Sequence, residues 1–204
     1  MKLGPRYKIC KRLGSNIFEK CQTKSFAISK ERSAAVKKKG KGRRNFSDFS
    51  RQLIEKQKLR LTYGLTEKQF AGYVEKSLES GANPQAFLFG LLESRLDSIA
   101  YRMGLVSTRR ASRQLVSHGH LLVNGRRTTV PSYQVSPGTM IAIREGSRDS
   151  GLFADLADRL KEYHFPAWVT FDVEKREGKF LSPPILQEQD TPADIGAVFE
   201  YYTR

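Results

Sequence analysis

Between Leu115 and Arg126 the hydrophobic period of this chain changes, and the change limits the folds open to it. Upstream, Leu88, Leu92, Leu96, Ile99 and Met103 recur at spacings of three and four. After Gly104, Ala111, Leu115 and Val116 resume the helical pattern, which Gly119 stops. Downstream the period is two. Leu121-Leu122-Val123, then Asn124-Gly125, then Arg126 to Val130 read as a hairpin, with Asn-Gly supplying two positive-φ positions. Pro137-Gly138 turns the chain into Met140-Ile141-Ala142-Ile143, a further strand. Helices feeding directly into short strands call for an α+β fold, with two helices packed on a small antiparallel sheet.

The rest of the chain is punctuated as clearly. Ser47 is a plausible N-cap for a helix carrying Phe49, Leu53 and Leu61, and Gly64 stops it. On that helix Lys56 and Arg60 lie four apart and project together. Thr66 and Gln69 make a capping box before Phe70, Val74 and Leu78. Asn83-Pro84 restarts a helix. After Ser147 come a helix (Leu152, Phe153, Leu156, Leu160) and a strand following Pro166, with Ala167, Val169, Phe171 and Val173 on one face. Val198 to Tyr202 reads as a terminal strand. The expected domains are a basic extended arm over 1–46, a helical domain over 47–90, a module over 91–147, and a carboxy-terminal region over 148–204 that packs on the others.

Charge sets the partner class. Lys and Arg number 36 against 21 Asp and Glu. Residues 1–60 hold 19 basic and 4 acidic side chains, so the whole net charge of +15 lies in the first third, and residues 61–204 balance at 17 and 17. The run Lys37-Lys38-Lys39-Gly40-Lys41-Gly42-Arg43-Arg44 cannot build a core and is expected to be extended. So dense an excess repels itself and calls for a polyanionic partner. The longest apolar stretch, Ala86 to Leu92, is too short to span a bilayer, and the chain reads as cytoplasmic, with no membrane partner. Cys10 and Cys21 form no Cys-x-x-Cys pattern, so no disulfide framework is expected.

The candidate interface lies in the module. Residues 91–145 carry 8 basic and 3 acidic side chains. Thr108-Arg109-Arg110 opens the second helix and Arg113 follows on the face of Arg109; arginines there oppose the helix dipole, which stability alone would not choose. Arg126 and Arg127 leave the hairpin turn. Pairing with Glu93, Asp97 and Glu145 accounts for at most part of the eight arginines. The expected surface therefore joins a helix N-terminus to a hairpin tip. His118 and His120 flank Gly119, where capping and turn roles are as good an account as RNA contact. Tyr133 either stacks on a base or packs against neighbours.

Several segments resemble a known family. Leu92-Glu93-Ser94-Arg95-Leu96-Asp97, Tyr101-Arg102-Met103-Gly104, Arg113 to His120, Val123-Asn124-Gly125-Arg126 and Pro131-Ser132-Tyr133-Gln134-Val135 are similar to the RNA-binding module of the bacterial ribosomal S-four family. Pseudouridine synthases, a tyrosyl-tRNA synthetase and a heat-shock ribosome-binding protein share that module. Gly4-Pro5, Lys11-Arg12, Glu55 to Arg60, Tyr63-Gly64 and Glu67 to Phe70 resemble the ribosomal family's amino-terminal domain. Pro166-Ala167-Trp168 and Phe199 to Arg204 resemble its end.

The resemblance implies a structural constituent of the small subunit that binds 16S ribosomal RNA early and nucleates assembly of the subunit body. Its further implied partners are the S-five neighbour, with which it influences translational accuracy, other small-subunit proteins, and messenger RNA on its path into the ribosome. The expected RNA-binding residues are Lys8, Lys11, Arg12, Lys37, Lys38, Lys39, Lys41, Arg43, Arg44, Arg51, Lys56, Lys58, Arg60, Arg109, Arg110, Arg113, Gln114, His118, Asn124, Gly125, Arg126, Arg127 and Tyr133. Some family members bind zinc through four amino-terminal cysteines. This chain has two, and every histidine lies beyond residue 117, so no metal and no cofactor are expected.

Catalysis is not expected either. Gly40-Lys41 lacks the remainder of a phosphate-binding loop, and no nucleophile elbow or metal-binding histidine pair occurs. A uridine-isomerising enzyme needs a further domain for which 204 residues leave no room. A repressor of its own messenger RNA is the second reading that this sequence allows.

Overall fold

The computed structural model describes residues 4–38, 47–81, 83–187 and 191–204. It divides into two compact units, Met1–Glu75 with Gln187–Arg204, and Lys76–Leu186.

The first unit is helical. α1 (Arg6–Leu13) and α2 (Lys24–Lys38) flank a 3-10 turn at Glu19–Gln22. The expectation of an extended segment before residue 46 therefore fails over these spans. Cys10, Leu13, Ile17, Phe18, Cys21 and Phe26 build a core with Leu61, against which Ile9 and Ile54 pack. These apolar residues hide from a period search because α1, the 3-10 turn, the segments around it and α2 share them. Of Lys37 and Lys38 only the helical backbone is described; Lys39, Lys41, Arg43 and Arg44 lie outside the described residues.

α3 (Asp48–Thr62) begins where Ser47 Oγ accepts from the Ser50 amide at 3.3 Å. α4 (Glu67–Glu79) opens on the Thr66–Gln69 box, with Gln69 N donating to Thr66 Oγ1 at 3.3 Å. Residues 198–202, expected as a strand, belong to helix α9 (Ile195–Tyr202), whose N-cap Asp194 accepts from the Ala197 amide at 3.3 Å. The β-rich composition Val-Phe-Glu-Tyr-Tyr loses to packing, because α9 lies along α3 with Phe49 and Tyr201 rings 5.5 Å apart and Gln52 donating to Glu200 at 2.9 Å.

The second unit is α+β. α5 (Pro84–Glu93) is capped by Asn83, which accepts from the Ala86 amide at 3.1 Å. α6 (Leu96–Arg102) and α7 (Arg109–Ser117) follow, and Leu96, Ile99, Ala100, Met103, Leu115 and Val116 are buried. Five antiparallel strands then form one sheet in the order β2-β1-β3-β5-β4. They are β1 (Leu121–Val123), β2 (Arg126–Arg127), β3 (Met140–Ile143), β4 (Val169–Asp172) and β5 (Glu177–Phe180). Between β3 and β4 runs α8 (Leu156–Lys161), shorter than its sequence pattern suggests because a 3-10 turn takes Gly151–Phe153.

Sequence reading misses β5, the strand that joins the hairpin half of the sheet to β4. Its residues, Glu-Gly-Lys-Phe, have little strand propensity. Gly178 is the reason it fits: a Cβ there would stand 2.6 Å from the Thr170 carbonyl oxygen and 2.8 Å from the Met103 side chain.

Candidate nucleic-acid interface

Two buried carboxylates organise the arginines of the second unit. Glu93, at the end of α5, has a fully buried side chain and accepts from Arg102 at 3.0 and 2.9 Å in a bidentate pair, and from Arg109 at 2.8 Å. Asp97, in the first turn of α6, takes Arg95 at 2.9 and 2.8 Å and Arg113 at 3.0 Å. Arg95 is 1% exposed, so its charge must be paired to be tolerated. Arg109 also lies over the Tyr101 ring, 4.7 Å from its centre.

Arg109 and Arg113, expected from sequence on the cationic face, are thus ties between α7 and the preceding helices. The neutral-pair reading holds for Glu93 and Asp97, each shared by two arginines, although two carboxylates carry only half the charge of four arginines.

The remaining arginines sit differently. Arg110 and Arg126 are exposed and make no ion pair among the described residues. α7 has no acidic residue in its first turn, and Thr108 caps it by accepting from the Ala111 amide at 3.1 Å. The hairpin register Val123↔Arg126 and Leu122↔Arg127 closes a two-residue turn at Asn124 (φ 47°) and Gly125 (φ 79°). Asn124 also ties that turn to β3, since its Oδ1 accepts from the Met140 amide at 2.9 Å. Arg127 donates to the His118 carbonyl at 3.1 Å. Gln114, His118 and Tyr133 are exposed. The segment bearing Tyr133 is strapped to α6, its carbonyl accepting from the Leu96 amide at 2.9 Å.

Sequence reading misses one group here. Arg144 and Ser147, beyond β3, come beside His120, whose ring burial and then the charges of His118, Arg144 and Arg127 hold below the ordinary histidine value. Only the β1–β3 register shows this proximity.

In the first unit, Lys8 and Arg12 are exposed on α1, and Lys11 donates to Ser29 Oγ at 2.9 Å. Arg51 pairs with Asp48 at 3.5 Å on the surface. The cluster expected on α3 turns inward. Lys56, its side chain 6% exposed, meets Glu67 at 2.6 Å; Lys58 meets Glu55 at 2.6 Å; Arg60 meets Glu67 at 3.3 Å. Cys10 and Cys21 are buried free thiols, and burial followed by contact with Cys10 pushes Cys21 up to about 12. Among the described residues no helix is long and apolar enough to cross a membrane.

Comparison with known proteins finds two family models and many relatives. A family model described as "S4 domain" matches residues 94–141, and one described as "Ribosomal protein S4/S9 N-terminal domain" matches residues 2–93. The chain is 39% identical over 206 residues to small ribosomal subunit protein uS4 of Thermus thermophilus, covering 99% of this chain and 98% of the relative. It is 37% identical over 205 residues to uS4 of Thermotoga maritima and 40% identical over 205 residues to uS4 of Persephonella marina, each with 98% of both chains covered. These relatives bear the name of a ribosomal protein and not of an enzyme. With family models matching residues 2–93 and 94–141, and with identity running through both units, the chain belongs to the uS4 family of small ribosomal subunit proteins.

Proposed function

We propose that this chain binds folded 16S ribosomal RNA, helps to nucleate the body of the small subunit, and acts there by positioning. The observation that carries the reading is the exposed charge of the module. Glu93 and Asp97 are already shared by four arginines, and Arg110 and Arg126 stand exposed with no acid to neutralise them among the described residues. Phosphates spaced along a folded RNA supply the missing charge and release their counterions. Gln114, His118, Arg127 and Tyr133, all exposed in the same module, complete the proposed contact set, with Lys8, Arg12 and the run 37–44 adding charge from the first unit. An S-five neighbour, other small-subunit proteins, messenger RNA on its way into the ribosome, an influence on decoding accuracy and a cytoplasmic location belong to the same proposal, on the strength of the family.

Filter binding to a transcript of the 5′ domain of small-subunit ribosomal RNA tests it. Affinity is expected to fall steeply with salt, with a log–log slope of about one unit per phosphate neutralised. A complex indifferent to salt, or no complex at moderate ionic strength, contradicts the reading.

A further inference from the structure

At the turn from α7 into β1, four groups that carry or can take up positive charge come together, and two of them meet on one hydroxyl. The His118 and His120 rings are 5.9 Å apart, centre to centre, on either side of Gly119. His120 Nδ1 lies 2.9 Å from Oγ of Ser147, which is 2% exposed, and Arg144 Nε donates to the same oxygen at 3.3 Å. Arg127 folds back from β2 to the His118 carbonyl. Gly119 makes this approach possible, since at φ +71° a Cβ would collide with the Arg127 guanidinium. Three separate segments converge here because Leu121 pairs with Ile143 and Leu122 with Arg127.

Among the described residues no carboxylate balances the group. Glu145 and Asp149, the acids of the adjoining segment, are exposed and make no side-chain hydrogen bond or ion pair with these residues among those described. Arg148, next after Ser147 in the chain, has a buried Nε with no hydrogen-bond partner among the described residues. The His120 and Phe153 rings also meet in a T-shaped pair, their centres 6.5 Å apart. Burial and the neighbouring positive charges therefore disfavour the imidazolium form of His120 in the unliganded protein.

We propose that His118, His120, Arg127 and Arg144, with Ser147 bridging His120 and Arg144, form an oxyanion site that takes a phosphate group together with a proton. An anion seated among them reverses the repulsion, so the charges that disfavour the imidazolium now share its counterion. In the neutral tautomer with its proton on Nε2, Ser147 Oγ accepts from Arg144 and donates to His120 Nδ1. Once a proton from water reaches the ring, Nδ1–H donates instead, and the hydroxyl hydrogen is released for another acceptor. Anion and proton then bind with mutual reinforcement. Inorganic phosphate and an RNA phosphodiester offer the same chemistry; the RNA form of the site rests on the function proposed above.

The test follows histidine Cε1–H resonances of the full chain by NMR across pH, in chloride and in inorganic phosphate at equal ionic strength, with His118→Gln and His120→Gln for assignment. Phosphate is expected to raise the His120 midpoint by about one pH unit, a tenfold coupling. Arg127→Gln and Arg144→Gln, checked for folding by circular dichroism, are expected to remove the rise. In the second arm, affinity for the ribosomal RNA transcript is expected to increase about three- to tenfold between roughly pH 7.5 and 5.5. His120→Gln is expected to bind at the higher pH and to lose that increase. A midpoint indifferent to both phosphate and RNA overturns the site while leaving RNA binding intact. A midpoint that responds to phosphate, in a protein that ignores the transcript, keeps the site and removes the RNA reading instead.

Discussion

The ammonium of Lys56 lies 2.6 Å from the Glu67 carboxylate and 4.3 Å above the centre of the Tyr201 ring, so a lysine that reads as phosphate-facing is an internal tie joining α3, α4 and α9. Lys56→Met keeps the stem and removes the charge-assisted hydrogen bond. Because Glu67 is 48% exposed and can be rehydrated, the expected loss is modest, about 1–2 kcal/mol in urea unfolding. RNA affinity of the folded variant is expected to match wild type; a large fall would return Lys56 to the contact surface.

Glu93→Gln and Asp97→Asn should be far more damaging, although both raise the positive charge of the protein. Each carboxylate holds two arginines out of full solvent, and neutralising it leaves those charges short of a partner. Losses of about 3–5 kcal/mol are expected in thermal or denaturant unfolding. A drop below about 1 kcal/mol in either variant argues that water or mobile anions already serve these arginines.

Arg110→Ala and Arg126→Ala touch no ion pair among the described residues and should leave stability within about 0.5 kcal/mol of wild type. Their effect belongs to binding: lower affinity for the transcript, with the salt slope reduced by about one for each phosphate no longer neutralised. Arg109→Ala and Arg113→Ala are expected to lose stability as well, which makes them poor probes of the surface. Unchanged affinity in the Arg110/Arg126 double variant would falsify their assignment.

Gly178→Ala tests the sheet. The added methyl meets the Thr170 carbonyl oxygen and cannot be relieved by a flexible side chain, so β4 and β5 must separate locally. About 1–3 kcal/mol of destabilisation is expected, with faster amide exchange at Thr170 and Phe171. Wild-type exchange in β4 is the outcome that excludes this account.

Acid should loosen the α3–α4–α9 network. Burial opposes ionisation of Glu67, yet hydrogen bonds from Lys56 and Tyr202 and the charges of Lys56 and Arg60 outweigh it and hold the carboxyl below its ordinary 4.5. A depressed carboxylate stabilises the fold fully above its unfolded value and less as pH falls through the folded one. Stability of the first unit should therefore decline from about pH 4.5 downward, more steeply in wild type than in Glu67→Gln. Parallel pH profiles for the two proteins would remove Glu67 from the network.

Much of this molecule is legible from its residues. Thr66 with Gln69, Asn83 with Pro84, Thr108, and Asn124 with Gly125 mark their caps and turn because each acts over three or four positions of chain, where side-chain chemistry alone sets the backbone. The α+β character of the second unit and the link to a ribosomal family were readable for the same reason. What failed was decided at a distance. Val198–Tyr202 is helical because α3 offers it an apolar face, and β5 exists because Gly178 lets Met103 and Thr170 close on it.

The cations show the division most plainly. The sequence by itself determined that positive charge exceeds negative, where along the chain the excess lies, and that a polyanion is its natural partner, since a count of charges needs no coordinates. Which cations remain for that partner was decided only by the tertiary structure. Glu93, Asp97 and Glu67 are few, but folding brings each within 3.3 Å of two basic groups, whereas Arg110 and Arg126 meet no acid among the described residues. Coulomb attraction between side chains falls with distance in space, and spacing along the chain does not fix that distance.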